Sequence, residues 1–160
     1  GIIGACTGIY GAFMGHRGYQ RANKIKALDL RLELRKDLSD THGLVASLRT
    51  LLDSANNSRM AVLSATGLYN SGAKMVWDQA IYDDRLEIDR LAGMLHSEEH
   101  DFSASSPEQL ESELVTIHAK KRELGAVEAK YKAALAEDDA RRQEIRREVA
   151  DRVNLMGVQR

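Results

Sequence analysis

The sequence predicts an all-α protein: an antiparallel three-helix bundle or coiled coil with long first and third helices, carrying an N-terminal glycine-rich apolar helix. Three observations predict it. Alanine, leucine, glutamate, arginine and lysine dominate the 160 residues, aromatics are only 5 %, and there is one Pro; that is the composition of long helices rather than of sheet. Apolar residues recur at three- and four-residue steps through three long stretches. Turn-forming clusters fall at 70–72 and 97–106, with no Pro before Pro107. The length suits one domain of ordinary size. A net charge of −1 argues neither for nor against a nucleic-acid partner. The single cysteine, Cys6, excludes an intrachain disulfide and fits a reducing compartment.

The first 18 residues, GIIGACTGIYGAFMGHRG, place glycines at Gly1, Gly4, Gly8, Gly11, Gly15 and Gly18. The steps alternate three and four, a seven-residue repeat that forms one stripe on a helix. In water each helical glycine costs roughly 1 kcal/mol relative to alanine. In hydrocarbon the balance changes. Every backbone group must be bonded internally, and small residues let two backbones approach closely. Gly4 with Gly8 and Gly11 with Gly15 are small-xxx-small pairs, the expected helix-association residues. Residues 1–15 span only about 22 Å as a helix, short of a bilayer core of about 30 Å. The expectation is therefore the C-terminal part of a transmembrane helix whose first turns lie upstream of Gly1. A signal peptide fits less well, because its charges belong before the apolar run. The competing expectation is a Gly-rich soluble segment.

Arg17, Tyr19, Arg21, Lys24 and Lys26 follow, with no acid until Asp29. Such a cluster beside a span marks the cytoplasmic side and suits anionic headgroups, with Tyr19 at their level. The same residues would also make an ordinary solvated basic face.

From Tyr19 to about Ala55, Leu30, Leu34, Leu38, Val45, Leu48, Leu52 and Ala55 mark one helical face. No turn cluster separates it from the glycine segment, so one continuous helix is expected. Gly43 is its weak point. Asn56-Asn57 would end the helix, or it would run on to about Ala65. Met60, Val62, Leu63, Leu68 and Tyr69 are too apolar for a free loop and are expected to pack. Ser71 is the expected N-cap of the second helix, 72–96. Its buried stripe is Trp77, Ile81, Ile88, Leu91 and Leu95, and its wet face Asp78, Asp83, Asp84, Glu87 and Asp89. Residues 97–106 form the loop. Ser106-Pro107-Glu108-Gln109 then opens the third helix with an N-cap Ser, Pro at N1 and Gln at N3.

That helix is expected from Pro107 to about Met156. Leu110, Leu114, Ile117, Leu124, Tyr131, Leu135, Ile145, Val149 and Met156 fit a heptad, interrupted by Lys121, Glu128, Asp138 and Arg142. Past Glu137 it is densely charged, and Glu137–Arg141, Asp138–Arg142 and Glu148–Arg152 are possible i,i+4 pairs. The apolar seam there is thin, so this stretch either frays or needs a partner chain. With short connections, the first and third helices run parallel at about 40 to 50 residues each, and the shorter second covers part of them. That mismatch predicts self-association.

Candidate chemistry is sparse. His96-Ser97-Glu98-Glu99-His100 resembles the H-x-x-E-H pattern of inverted zinc peptidases in its three fixed residues. The resemblance implies zinc on His96 and His100, Glu99 as base, and a third ligand from Glu113, His118 or Asp101. The motif straddles a predicted helix end, so a solvated acidic terminus is expected, with metal binding a weak candidate. Gly15-His16-Arg17-Gly18, followed by Ile25, resembles the GXXG loop of KH domains; that fold needs strands, and none is readable. Phosphate-loop and dinucleotide fingerprints are absent, no serine sits beside a convincing base, and Trp77 and Tyr82 read as core aromatics. Interleaved acids weaken any nucleic-acid reading of the arginines.

The expected function is non-enzymatic and without cofactor. The chain self-associates at a lipid bilayer by its single-pass glycine-zipper helix and presents residues 19–160, a cytoplasmic coiled-coil domain, to a protein partner. The alternatives are a membrane-active oligomer, a small pore or toxin-like effector built on the glycine helix, and a soluble helical scaffold.

Overall fold

The computed structural model describes the backbone of residues 2–157 and the side chains of residues 23–154. Among the described residues it is all-helical, with α1 at Ile2–Ala65, α2 at Gly72–Gly93 and α3 at Pro107–Gly157. Gly4, Gly8, Gly11, Gly15, Arg17, Tyr19 and Arg21 lie outside the described side chains. No helix among the described residues is long and apolar enough to cross a membrane.

α1 runs through Gly43 and Asn56-Asn57 to the later of its two expected ends. Gly67 stops it. At φ 73°, Gly67 takes the left-handed conformation that side chains disfavour. Leu68 N–H then reaches the Leu63 carbonyl at 2.8 Å and Gly67 N–H the Ser64 carbonyl at 3.2 Å, the Schellman closure of a helix C-terminus. Leu68 and Tyr69, expected to pack, remain 48 % and 45 % exposed; the turn they occupy lies beyond the last buried residues of α1, Val62 and Leu63. Ser71 stands at the N-cap of α2 but does not cap it with its side chain. Its hydroxyl instead donates back to the Leu68 carbonyl at 2.6 Å. α2 ends three residues short of the expected boundary. α3 starts as expected: Ser106 N–H donates to Gln109 Oε1 at 2.8 Å, and Gln109 N–H donates to Ser106 Oγ at 3.3 Å. That is the reciprocal capping box.

The chain divides into two compact units, Gly1–Thr41 with Leu95–Ala119, and His42–Met94 with Lys120–Arg160. In the first unit α1 and α3 run parallel: Lys26 pairs with Glu111 at 2.8 Å, and His118 meets Asp37 at 2.7 Å farther along both helices. Ala27, Leu34, Leu38, Leu110 and Ile117 form its core. Among the described residues no third helix belongs to this unit. Phe102, from the loop, fills the space and is 2 % exposed. Two arginines of α1 hold the loop over it. Arg31 donates to the Ser103 carbonyl at 2.7 Å, and Arg35 lies 3.8 Å from Asp101. Asp101 also accepts from the Ser103 N–H and hydroxyl, bonds that hold its carboxyl below the usual carboxylate range.

The second unit contains all three helices. Arg49–Asp89 and Asp53–Arg85 run α2 antiparallel to α1. Lys130–Asp84 and Arg90–Glu123 run it antiparallel to α3. Val45, Leu48, Leu52, Ile81, Ile88, Leu91, Leu124 and Tyr131 are buried here. Trp77 is half-buried, and Val149, expected on the seam, is 55 % exposed. α3 has by then outrun α1, which ended at Ala65.

Candidate functional site

The sequence-predicted chemistry sits in the first unit. α2 has already ended at Gly93, so the H-x-x-E-H stretch is loop rather than helix. His96 and His100 still meet: their rings stack with centroids 4.4 Å apart, and both lie edge-on to Phe102. Glu113 comes to 3.4 Å from His96 Nε2. Glu99 points to solvent, Asp101 is engaged by Ser103, and His118 is held by Asp37 on the other helix. Two of the three motif residues are thus brought together, and the base is not. Among the described residues no group of three or more His, Cys, Asp or Glu is placed to hold a metal ion. The histidines act as the polar collar of the Phe102 plug.

The second unit holds an array that pattern reading missed. Tyr131 is fully buried, and its hydroxyl donates to Asp84 Oδ2 at 2.6 Å. Trp77 packs edge-on to Tyr131 at 5.8 Å and donates its Nε1–H to Asn56 at 3.1 Å. Arg59 lies over the Trp77 ring at 4.9 Å, a cation–π contact. The same guanidinium reaches Glu137 and Asp138, each at 3.0 Å. Arg142 donates to Ser58 at 3.0 Å and also pairs with Asp139. Glu137 and Asp138 therefore pair across to α1 rather than along α3. Arg141 pairs with Glu144, three residues on, instead of with Glu137.

Asp138 is the unusual member. It is 1 % exposed and continues the seven-residue column Leu110, Ile117, Leu124, Tyr131. Arg59 Nε is within ion-pair distance of it, but off the line of a hydrogen bond. That N–H and both Asp138 carboxylate oxygens have no hydrogen-bond partner among the described residues. A cleft of about 720 Å³ opens here, between Val62 and Leu63 of α1 with Thr66 just past its end, and Arg141 and Arg147 on α3. Three guanidiniums (Arg59, Arg141, Arg147) and three carboxylates (Glu137, Asp138, Glu144) line it. Its charges balance, so it favours neither anions nor cations.

The residues expected at a membrane interface divide. Lys24 is exposed, whereas Lys26 is engaged by Glu111 of α3. Beside them Ile25, Leu28 and Leu32 are 62 %, 55 % and 59 % exposed. They lie away from the core column Ala27, Leu34 and Leu38. Compared with protein-family profiles, curated proteins and solved structures, the chain matches none of them.

Proposed function

We propose that this chain is a non-enzymatic, membrane-anchored helical protein that self-associates and presents its helical domain to a protein partner on the cytoplasmic side. The observation that carries the reading is the continuity of α1 from Ile2 to Ala65. The glycine-striped apolar segment and the first helix of both compact units are one element. Whatever holds that segment therefore holds the domain without an intervening linker.

A second feature supports self-association. In sequence Gly4, Gly11 and Gly18 share a seven-residue series with Ile25 and Leu32. The described part of that series is the uncovered face of α1, not the face spent on the core. Helices pairing along the glycine series would leave the core contacts undisturbed. Exposed Lys24, with Arg17, Tyr19 and Arg21 before it, supplies the headgroup-level charge that orients such a helix.

Carbonate extraction of membranes containing the full chain tests the anchor. Retention in the pellet is the expected result, and release into the supernatant would overturn it. Dye release from liposomes, abolished by Gly8→Ile, would instead identify a membrane-permeabilising oligomer.

A further inference from the structure

α2 is apolar on two opposite faces. Ile81, Ile88 and Leu91 hold one of them against the rest of its unit. The other carries Met75, Tyr82 and Leu86, which are 74 %, 59 % and 52 % exposed. With Gln79 these residues fall at steps of four, three and four, the spacing of a heptad seam. A helix with one neighbour-facing stripe normally turns a polar face to water. A second seam at this spacing is what a further helix packs against.

We infer that this outer face is a contact between two copies of the chain, with their α2 helices antiparallel. The seam is self-complementary in that sense alone. Antiparallel pairing puts Met75 of one copy opposite Leu86 of the other, and Gln79 opposite Tyr82. Each layer occurs twice about a two-fold axis. The flanking charges select the same direction. Asp78 and Arg85 lie on one flank of the seam, so in the antiparallel pair each Asp78 faces Arg85 of the second copy. In a parallel pair Asp78 would face Asp83 and Arg85 would face Arg90, acid on acid and base on base. Like charges set opposite one another suppress the wrong pairing. Asp78 and Arg85 have partners within the chain, Lys74 and Asp53, but their side chains stay 46 % and 49 % exposed and can be shared across a contact. The array near the inner face of α2, from Trp77 to Tyr131, fixes the helix and leaves the outer stripe rigidly displayed.

Residues 75–86 span only about 16 Å, so the contact is small and belongs with weak interfaces. It rests on the self-association part of the proposed function, and not on the membrane anchor. Because α1 and α2 are antiparallel within this unit, the α1 segments of the two copies leave the contact in opposite directions.

Position-specific disulfide cross-linking of the full chain in detergent, in a Cys6→Ser background, tests it. A tagged Met75→Cys chain is mixed with an untagged Leu86→Cys chain and oxidised. The expected product is the mixed dimer, reduced about tenfold by Tyr82→Glu; a Gln79→Cys plus Tyr82→Cys mixture should also give a mixed dimer, reduced to the same extent by Leu86→Glu. A disulfide between two Met75→Cys chains would show a parallel pair and overturn the assignment, as would no α2 cross-link at all. A chain that sediments as a dimer without these cross-links overturns this contact and leaves the proposed function standing. A monomer overturns both.

Discussion

Asp138 is a carboxylate at a position where the preceding turns of α3 place Leu110, Ile117, Leu124 and Tyr131. Its partner Arg59 continues the α1 series Leu38, Val45 and Leu52 in the same way. A buried pair of this kind repays its desolvation only with good geometry and full hydrogen bonding, and here neither carboxylate oxygen has a hydrogen-bond partner among the described residues. Removing one member should therefore hurt more than removing both. Arg59→Met alone strands a buried carboxylate and should lower stability by about 3–5 kcal/mol. Arg59→Met with Asp138→Leu should come back to within about 1 kcal/mol of the parent or exceed it. Urea unfolding of the three proteins decides it, and a double variant as weak as the single one would show that the pair is a net asset. The acid was legible in the sequence, because it breaks an apolar column. Arg59 was not: its stem packs while its head reaches polar atoms, and such a residue reads as surface in any pattern of hydropathy.

At the scale of elements, the helices were readable from periodicity, and the start of α3 from Ser106, Pro107 and Gln109 together. Two boundaries depended on local bonding that spacing does not encode. Gly67 closes α1 by its left-handed backbone, and Ser71 turns its hydroxyl back to Leu68 rather than onto α2. The loop hid more. Phe102 stands among Ser, Asp and His and reads as a polar connection, yet it seals the two-helix seam of the first unit. Its burial depends on where α2 stops, which no local pattern reports. Arg31 and the collar of His96 and His100 make the plug a built feature. Phe102→Ala should cost about 3–5 kcal/mol. Amide exchange should rise most at Leu34, Leu38, Leu110 and Ile117, while Leu48, Leu52 and Ile88 in the other unit keep more of their protection. Uniform loss across both sets would refute the assignment of Phe102 to one core.

For the whole molecule, the composition and the heptads pointed to one bundle, because the apolar series Leu34, Leu38, Val45, Leu48 of the sequence meets no turn cluster. The two units differ in what covers the α1–α3 seam of each, a loop in one and α2 in the other, and they differ in chemistry for the same reason. Among the described residues, only the second core holds a tyrosine. Burial, then the hydrogen bond to Asp84 and the charge of that carboxylate, push the Tyr131 phenol well above its ordinary range. The folded state thus prefers the neutral phenol more strongly than the unfolded chain does. The stability this preference contributes is fully present below an unfolded value of about 10 and is lost as pH rises through the folded one. Raising the pH above about 10 should open the second unit first. Methyl NMR signals of Leu48, Ile88 and Leu124 should fade ahead of those of Leu34, Leu110 and Ile117. Tyr131→Phe should remove that difference, which separates the phenol from the lysines that titrate over the same range. It should also weaken the unit at neutral pH by about 1–3 kcal/mol, through the lost bond to a charged acceptor. Fading of both sets at one pH, or an unchanged profile in Tyr131→Phe, would assign the alkaline transition to surface charge instead.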